Sequence, residues 1–141
     1  MIKAYSIIAN GGNDVKLTLI QKDRIETLNK PIISSEMSNK LKKLLVNVVE
    51  GNNGTGKSLR KEGYKIGGKT GTSRTHLEGL GYSDDRFNTS FTGFFETKEG
   101  PVVGSVLLWG AKTNPTSEYV TGGSTAAPIF KKIITYFVPK E

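Results

Sequence analysis

The sequence predicts an α+β protein with a three-stranded part of an antiparallel sheet, and three observations support this class. Apolar residues recur with helical spacing at both ends of the chain and over one long central segment. β-Branched and aromatic residues fill two neighbouring runs, near 90–97 and 102–109, which are joined by the hairpin turn Lys98-Glu99-Gly100-Pro101. A third extended run covers residues 64–72.

The first elements are expected to be an N-terminal helix and a small hairpin. Residues 2–9 are apolar with a helical rhythm, and Asn10-Gly11-Gly12 ends that helix. Residues 15–20 alternate apolar and polar side chains, which predicts a half-buried strand. Residues 24–28 are its predicted partner across the polar turn 21–23.

The long helix is predicted from a cap, an apolar stripe and a glycine. Ser34 or Ser35 caps its start, and Glu36 lies in the first turn, where a carboxylate interacts favourably with the helix dipole. Gly51 ends the helix. Its packed face is expected to consist of apolar residues three or four apart: Met37, Leu41, Leu44, Leu45 and Val48.

The C-terminal half is expected to contain two long connections and a last helix. Residues 75–88 are predicted to be irregular, and residues 110–121 to be a loop. Trp109 ends a strand and is expected in the core or in the lining of a groove. Residues 126–137 are predicted as a C-terminal helix with Pro128 in its first turn, where proline is tolerated.

The segment 64–73 carries the strongest functional signal. Lys69 supplies a positive charge, and Thr70 and Thr72 point to the same face of a strand because they are two residues apart. Gly71 between them leaves the backbone uncovered, so a ligand can approach it closely. This combination suits a substrate that has a carboxylate and a carbonyl whose oxygen becomes negative during reaction.

The chain resembles the C-terminal part of the transpeptidase domain of class B penicillin-binding proteins along nearly all of its length. Lys69-Thr70-Gly71 is similar to the third motif of that family. Four further segments are similar and occur in the family's order: residues 4–12, 41–51, 90–95 and 122–130. The resemblance implies a penicillin-binding/β-lactamase-like fold, of which residues 1–141 would be the C-terminal portion of a single transpeptidase domain.

Two motifs of that family do not occur in this sequence in their expected form. There is no Ser-x-Asn triplet, and the one Ser-x-x-Lys, at residues 58–61, follows a glycine-rich turn just before the Lys69 strand. The family needs this serine at the buried start of a central helix, so residues 58–61 are instead predicted to be a polar loop or turn. The chain is therefore expected to hold one wall of an active site and to be inactive alone.

The resemblance implies a peptidoglycan D,D-transpeptidase that cross-links stem peptides through a serine acyl-enzyme. It assigns catalytic roles to Lys69 and Thr72 and substrate-binding roles to Thr70, Gly71 and Thr72. The implied partners are D-Ala-D-Ala stem peptides, β-lactams and other cell-wall synthesis proteins, without a cofactor, at the periplasmic or extracytoplasmic face of the inner membrane. In the family, strands from before the nucleophile pair beside residues 102–109, and without them this edge is expected to allow self-association.

Composition excludes several classes of function. The chain has 141 residues and no cysteine, which rules out disulfides, thiolate catalysis and cysteine–zinc sites. No run reaches the roughly 18 apolar residues of a membrane-spanning helix. The net charge of +7 comes from scattered lysines and arginines rather than from a basic stripe with interleaved aromatics, so a nucleic-acid partner is not expected.

Two other functions stay open on the sequence alone. Gly51–Ser58 spells the phosphate-binding pattern G-x-x-x-x-G-K-S, although the segment before it is helical and the segment after it reaches Gly63 before a helix could form. A non-catalytic interaction module is the second alternative. His76 is expected to be exposed, and Asp84-Asp85 to form a hydrated turn rather than a metal site.

Overall fold

A computed structural model describes residues 1–19, 27–112 and 119–137. Their helices and strands, in chain order, are α1 (Ile2–Ala9), β1 (Asn13–Val15), β2 (Thr27–Pro31), α2 (Ser35–Glu50), β3 (Ile66–Leu77), β4 (Gly81–Thr97), β5 (Gly100–Lys112) and α3 (Ala126–Phe137), with a 3₁₀ turn at Lys57–Leu59. The predicted α+β class is confirmed, as are both terminal helices and the long central helix.

The main sheet is antiparallel, with β4 between β3 and β5. The prediction of an irregular connection over 75–88 was wrong, because these residues form the outer half of a long β3–β4 hairpin in which His76 pairs with Tyr82. Gly79 and Gly81 have φ angles of 74° and 79°, which favour glycine and allow the chain to reverse there. The buried residues of this hairpin are Thr75 and Ser83, and both are polar, so no apolar alternation marks it in the sequence.

The core lies mainly between the sheet and α3. The Phe91 and Phe130 rings are 4.8 Å apart between centroids, and Phe95 meets the same Phe130 ring edge-on at 6.3 Å. A side chain at Gly104 would approach the Phe130 ring to 2.9 Å, so the glycine allows the helix to lie close to β5. The fully buried members of this cluster include Val49, Leu59, Ile66, Ala126, Ala127 and Ile134.

Helix α2 begins and ends as predicted but buries different residues. Ser34 is the cap, since its Oγ accepts a hydrogen bond from the Met37 amide at 3.1 Å. Part of the predicted apolar stripe was wrong: Met37 and Leu44 are 47% and 65% exposed. The buried residues are Val49, which joins the core, and Ser38, whose Oγ donates to the Ile8 carbonyl oxygen at 2.7 Å. Contact with α1 and with the sheet, rather than hydrophobicity alone, decides which face is covered.

The small hairpin exists with different bounds. β1 ends at Val15, so the predicted strand over 15–20 was wrong for residues 16–19, and residues 20–26 lie outside the described residues. The Lys3 ammonium holds this early strand because it donates to the Val15 carbonyl oxygen at 2.7 Å and pairs with the Asp14 carboxylate at 2.5 Å. The hydrogen bond from Lys3 lowers the pKa of the Asp14 carboxyl below its ordinary value.

The remaining predictions concern single residues and membrane helices. Trp109 is 74% exposed, so of its two predicted places, the core or the lining of a groove, the core was wrong. Within residues 1–19, 27–112 and 119–137, no helix combines the length and the apolar character needed to cross a bilayer.

Candidate active site

The predicted site residues lie together on β3, which is one of the two outer strands of the three-stranded sheet. Gly71 pairs with Ser90, and Thr70 and Thr72 pair with Phe91 and Thr89. Because directly paired residues share a face of a sheet, Thr70 and Thr72 belong to the face that carries Phe91 and α3. Lys69 and Gly71 belong to the opposite face. The strand therefore presents two hydroxyls on one side and a cation on the other.

Lys69 is exposed at the rim of an open depression of about 480 Å³ between β3 and the end of α2. Its Nζ donates a hydrogen bond to the Thr70 carbonyl oxygen at 2.9 Å. The depression is otherwise lined by the last turn of the helix and the glycine-rich loop after it: Asn47, Val48, Gly51, Asn52, Asn53, Gly54 and Thr55. The ammonium is thus placed beside polar groups and open space, where an anionic ligand could approach it.

The backbone of β3 also has groups that a ligand could use. The Lys69 ammonium reaches the Thr70 carbonyl oxygen, which indicates that this carbonyl points away from the neighbouring strand β4. Backbone groups of alternate residues point to the same side of a strand, so the N–H of Thr72 shares this direction. A carbonyl oxygen lying along this edge would meet the Thr72 N–H as a hydrogen-bond donor.

Two loops hold the threonine hydroxyls. Thr55 Oγ1 lies 2.7 Å from Thr70 Oγ1. The Gly122 N–H donates to Thr72 Oγ1 at 3.1 Å. Because Thr72 Oγ1 accepts this bond, its own hydroxyl proton is available for an acceptor such as a carboxylate.

Gly71 is surrounded closely on both faces of the sheet. A Cβ at Gly71 would lie 2.5 Å from the Ser90 Oγ, and a Cβ at Gly122 would lie 2.6 Å from the Gly71 carbonyl oxygen and 2.3 Å from that of Ser90. The glycine at 71 thus leaves room for the Ser90 side chain. The glycine at 122 allows the loop before α3 to rest directly on the Gly71–Ser90 pair.

Sequence reasoning identified the strand but missed the partners that support it. Thr55 was seen only as part of a phosphate-binding pattern, and Gly122 only as one glycine of a family landmark. Neither residue has a local signal for contact with β3, since they lie 15 and 50 residues away from their partners. A Gly-Gly pair before a helix, at 122–123, is the one hint of close backbone packing.

Gly51–Ser58 does not have the structure of a P-loop. The segment follows helix α2 and runs into the 3₁₀ turn Lys57–Leu59, whereas a P-loop connects a buried strand to a helix. Ser58 lies at the surface in this turn, as predicted, and its Oγ donates to the Gly123 carbonyl oxygen at 2.8 Å. The geometry therefore does not favour nucleotide binding here, and Ser58 links the two loops that flank β3.

The other predicted single residues lie in the outer hairpin, away from Lys69. His76 is exposed and meets the Tyr82 ring edge-on at 5.3 Å. Asp84 and Asp85 belong to strand β4 rather than to a turn. The hydrogen bond from Ser83 lowers the pKa of the Asp85 carboxyl. In the part of the chain that the structure describes, no three histidine, aspartate or glutamate residues are grouped as metal ligands.

Comparison with known proteins agrees with this architecture. The chain is 33% identical to the peptidoglycan D,D-transpeptidase FtsI homolog of Mesostigma viride over 95% of its own length and 25% of that relative. It matches the apo TP domain of Burkholderia pseudomallei penicillin-binding protein 3 with a TM-score of 0.71 and 25% identity, covering 94% of this chain and 39% of that one. It also matches Mycobacterium tuberculosis penicillin-binding protein 3 complexed with ampicillin, with a TM-score of 0.66 and 23% identity, covering 96% of this chain and 33% of that one. At this identity the likeness shows the fold alone.

These comparisons define what kind of domain the chain represents. It spans about a quarter of the length of the first of these relatives. The family described as penicillin binding protein transpeptidase domain matches residues 1–135, nearly the whole sequence and all three strands of the main sheet. The chain belongs to the penicillin-binding protein transpeptidase family.

Proposed function

We propose that this chain is part of a peptidoglycan D,D-transpeptidase, and that residues 1–141 are the C-terminal portion of its single transpeptidase domain. The observation that carries the proposal is the arrangement on β3: the Lys69 cation on one face, two supported hydroxyls on the other, and outward-facing backbone groups along the edge between them. Cross-linking needs these groups, because its substrate ends in a carboxylate and reacts at a carbonyl.

In the proposed reaction, a serine outside this chain attacks the penultimate D-Ala carbonyl of a stem peptide. The terminal D-Ala leaves as an amine, and the acyl group then passes from the serine to an amine of a neighbouring strand. Lys69 attracts the substrate carboxylate and supports proton movement near the serine. The Thr70 and Thr72 hydroxyls bind that carboxylate.

The backbone of the same strand would stabilise the reacting carbonyl. The Thr72 N–H supplies one donor of the oxyanion hole, and the N–H of the serine supplies the other. Gly71 keeps this part of the strand free of a side chain, so the substrate can lie against it. Because one donor and the nucleophile are not on these residues, the chain by itself has only one wall of the site.

The proposed partners follow from this chemistry. They are D-Ala-D-Ala stem peptides, β-lactams that imitate them, and other cell-wall synthesis proteins. The work of the complete enzyme takes place at the periplasmic or extracytoplasmic face of the inner membrane. No cofactor is required, because serine, lysine and backbone donors perform every step.

The proposal predicts opposite results for the chain and for the complete protein that contains it. Mass spectrometry after incubation with benzylpenicillin should show no adduct on this chain, whereas the complete protein should gain one penicilloyl group on its nucleophilic serine. A stoichiometric adduct on Ser58 of the isolated chain would contradict the proposed division of the site. A complete protein that is never acylated would instead favour a non-catalytic interaction module.

A further inference from the structure

A buried pair of hydroxyl groups lies beside the Thr72 side chain. Thr89 is directly paired with Thr72 and therefore shares its face of the sheet. Thr89 is fully buried, and its Oγ1 lies 2.8 Å from Oγ1 of Thr125, in the loop before α3. Because a buried hydroxyl costs free energy unless it is hydrogen-bonded, this contact is a specific link between β4 and that loop.

The direction of this hydrogen bond follows from the second partner of Thr125. The Thr125 hydroxyl donates to the Thr121 carbonyl oxygen at 2.6 Å. A hydroxyl has one proton, so Thr125 Oγ1 must accept the bond that it shares with Thr89. Thr125 therefore accepts from the sheet and donates to the loop, and its removal would deprive both Thr89 and Thr121 of a partner.

The Thr121 carbonyl group belongs to the same peptide unit as the Gly122 N–H that reaches the candidate site. This unit is planar, and in the trans form its C=O and N–H point in opposite directions. The Thr125 hydroxyl binds the carbonyl end of the unit, and Thr72 Oγ1 accepts from the N–H end at 3.1 Å. Holding the carbonyl oxygen therefore also fixes the direction of the Gly122 N–H.

We propose that Thr125 is a positioning residue for the Thr72 hydroxyl. It holds the 121–122 peptide unit so that the Gly122 N–H is directed at Thr72 Oγ1, and this bond orients the Thr72 hydroxyl proton towards the substrate carboxylate. Without that donor, the Thr72 hydroxyl can rotate and direct its proton elsewhere. The carboxylate in this inference rests on the function proposed above, whereas the hydrogen bonds do not depend on it.

A second side chain also reaches this loop, but its bond is easier to replace. Ser58 Oγ donates to the Gly123 carbonyl oxygen at 2.8 Å. Ser58 is exposed, so water can take its place at that carbonyl oxygen. Water does not reach the buried Thr89 hydroxyl, and we therefore expect the link through Thr125 to decide where the 121–122 peptide unit lies.

Amide hydrogen exchange tests this placement, and mass spectrometry can follow it in the complete protein that contains this chain. Thr125→Val keeps the shape of the side chain and removes its hydroxyl. The Gly122 amide should then exchange about 3–10-fold faster, which is the range expected for the loss of one ordinary hydrogen bond. Thr125→Ser retains a hydroxyl and should restore slow exchange.

Two further variants separate placement from a general loss of stability. Thr135→Val is the matched control, because the Thr135 hydroxyl on α3 also donates to a backbone carbonyl oxygen, that of Lys132, at 2.6 Å. It should leave the exchange of Gly122 unchanged. Thr125→Val combined with Thr89→Val removes both hydroxyls, so no buried donor is left without an acceptor. Gly122 should still exchange rapidly in this double variant, since the Thr121 carbonyl oxygen has lost the same donor.

Acylation of the complete protein tests whether this placement matters for the reaction. Thr125→Val should slow acylation by benzylpenicillin about 3–10-fold. Acylation by benzylpenicillin methyl ester should keep its rate, because the ester has no free carboxylate for the Thr72 hydroxyl to bind. In a Thr72→Val background, Thr125→Val should have no further effect, since two residues that act as one unit are not additive.

The possible outcomes distinguish this inference from the proposed function. Unchanged exchange of Gly122 in Thr125→Val would overturn the inference, as would equal slowing of acylation with both compounds or additive effects of the Thr72 and Thr125 substitutions. A complete protein that benzylpenicillin never acylates would contradict the proposed function instead. The exchange rates of Gly122 would then still decide whether Thr125 positions the N–H that binds Thr72.

Discussion

The two outer strands of the main sheet have opposite characters. β3 contains a lysine, an arginine, a histidine and three glycines within Ile66–Leu77, whereas β5 has no charge from Gly100 to Ala111. The loop before α3 rests on β3 through Gly122, and the loop after α2 reaches it through Thr55. β5 has core packing on its α3 face and exposed side chains elsewhere. One outer strand thus carries the cation and the two supported hydroxyls, and the other carries apolar packing.

The two outer strands are also stabilised in different ways. Polar side chains and glycines weaken a strand, and β3 compensates through contacts from distant loops. Those contacts hold the Thr70 and Thr72 hydroxyls 2.7 and 3.1 Å from their partners. Strand β5 is stabilised instead by its ladder to β4 and by apolar packing against α3.

Loss of the Lys69 cation from β3 should have the largest effect, and this effect is on the rate of acylation. In the complete protein, Lys69→Ala should slow acylation by a fluorescent penicillin by about 10²–10³-fold, because a positive charge is removed where negative charge binds and develops. Thr70→Val should cost less, since Thr72 still provides a hydroxyl. The measurement is the second-order rate constant of acylation.

Lys65→Ala is the matched control for that experiment. Lys65 is also an exposed lysine and lies just before the same strand, but its side chain is not among the proposed site residues. Acylation should be unchanged in this variant. Normal acylation in Lys69→Ala would show that β3 is not a wall of the active site.

A side chain at Gly122 should have the next largest effect, this time on stability. Gly122→Ala places a Cβ 2.3 Å from the Ser90 carbonyl oxygen, so backbone must move, at a cost of about 1–3 kcal/mol. Gly71→Ala meets only the Ser90 hydroxyl group within 3 Å and should change the free energy of unfolding by no more than about 1 kcal/mol. Urea unfolding of the two variants measures both effects, and equal losses would mean that the loop does not rest on β3 as described.

Removal of the Arg74 charge should have the smallest effect. Arg74 Nη1 lies 3.0 Å from the Asp84 carboxylate, and both side chains are largely exposed, so the pair should contribute at most about 1 kcal/mol. Urea unfolding of Arg74→Ala measures this contribution. A loss well above about 1 kcal/mol would show that the outer hairpin depends on this ion pair.

Much of the fold could be predicted because local patterns agree with the final packing. Ser34, Gly51 and Pro128 mark helix boundaries correctly, since capping and proline effects act within a few residues. The hairpin over 75–88 could not be predicted in this way, because its buried residues, Thr75 and Ser83, are polar and its order comes from pairing with the opposite strand. The same limit applied to Met37 and Leu44, whose exposure depends on where α2 contacts its neighbours.

The sequence by itself determined the α+β class, the boundaries of the main helices and the place of Lys69–Thr72 on a strand. These follow from residue type and spacing along a short stretch of chain. Only the tertiary structure decided that Thr55 and Gly122 support the two hydroxyls, and that Gly71 lies against Ser90 on one face and the loop at Gly122 on the other. The physical reason is that the two hydroxyl contacts join residues 15 and 50 positions apart, and close backbone approach leaves no trace in local periodicity.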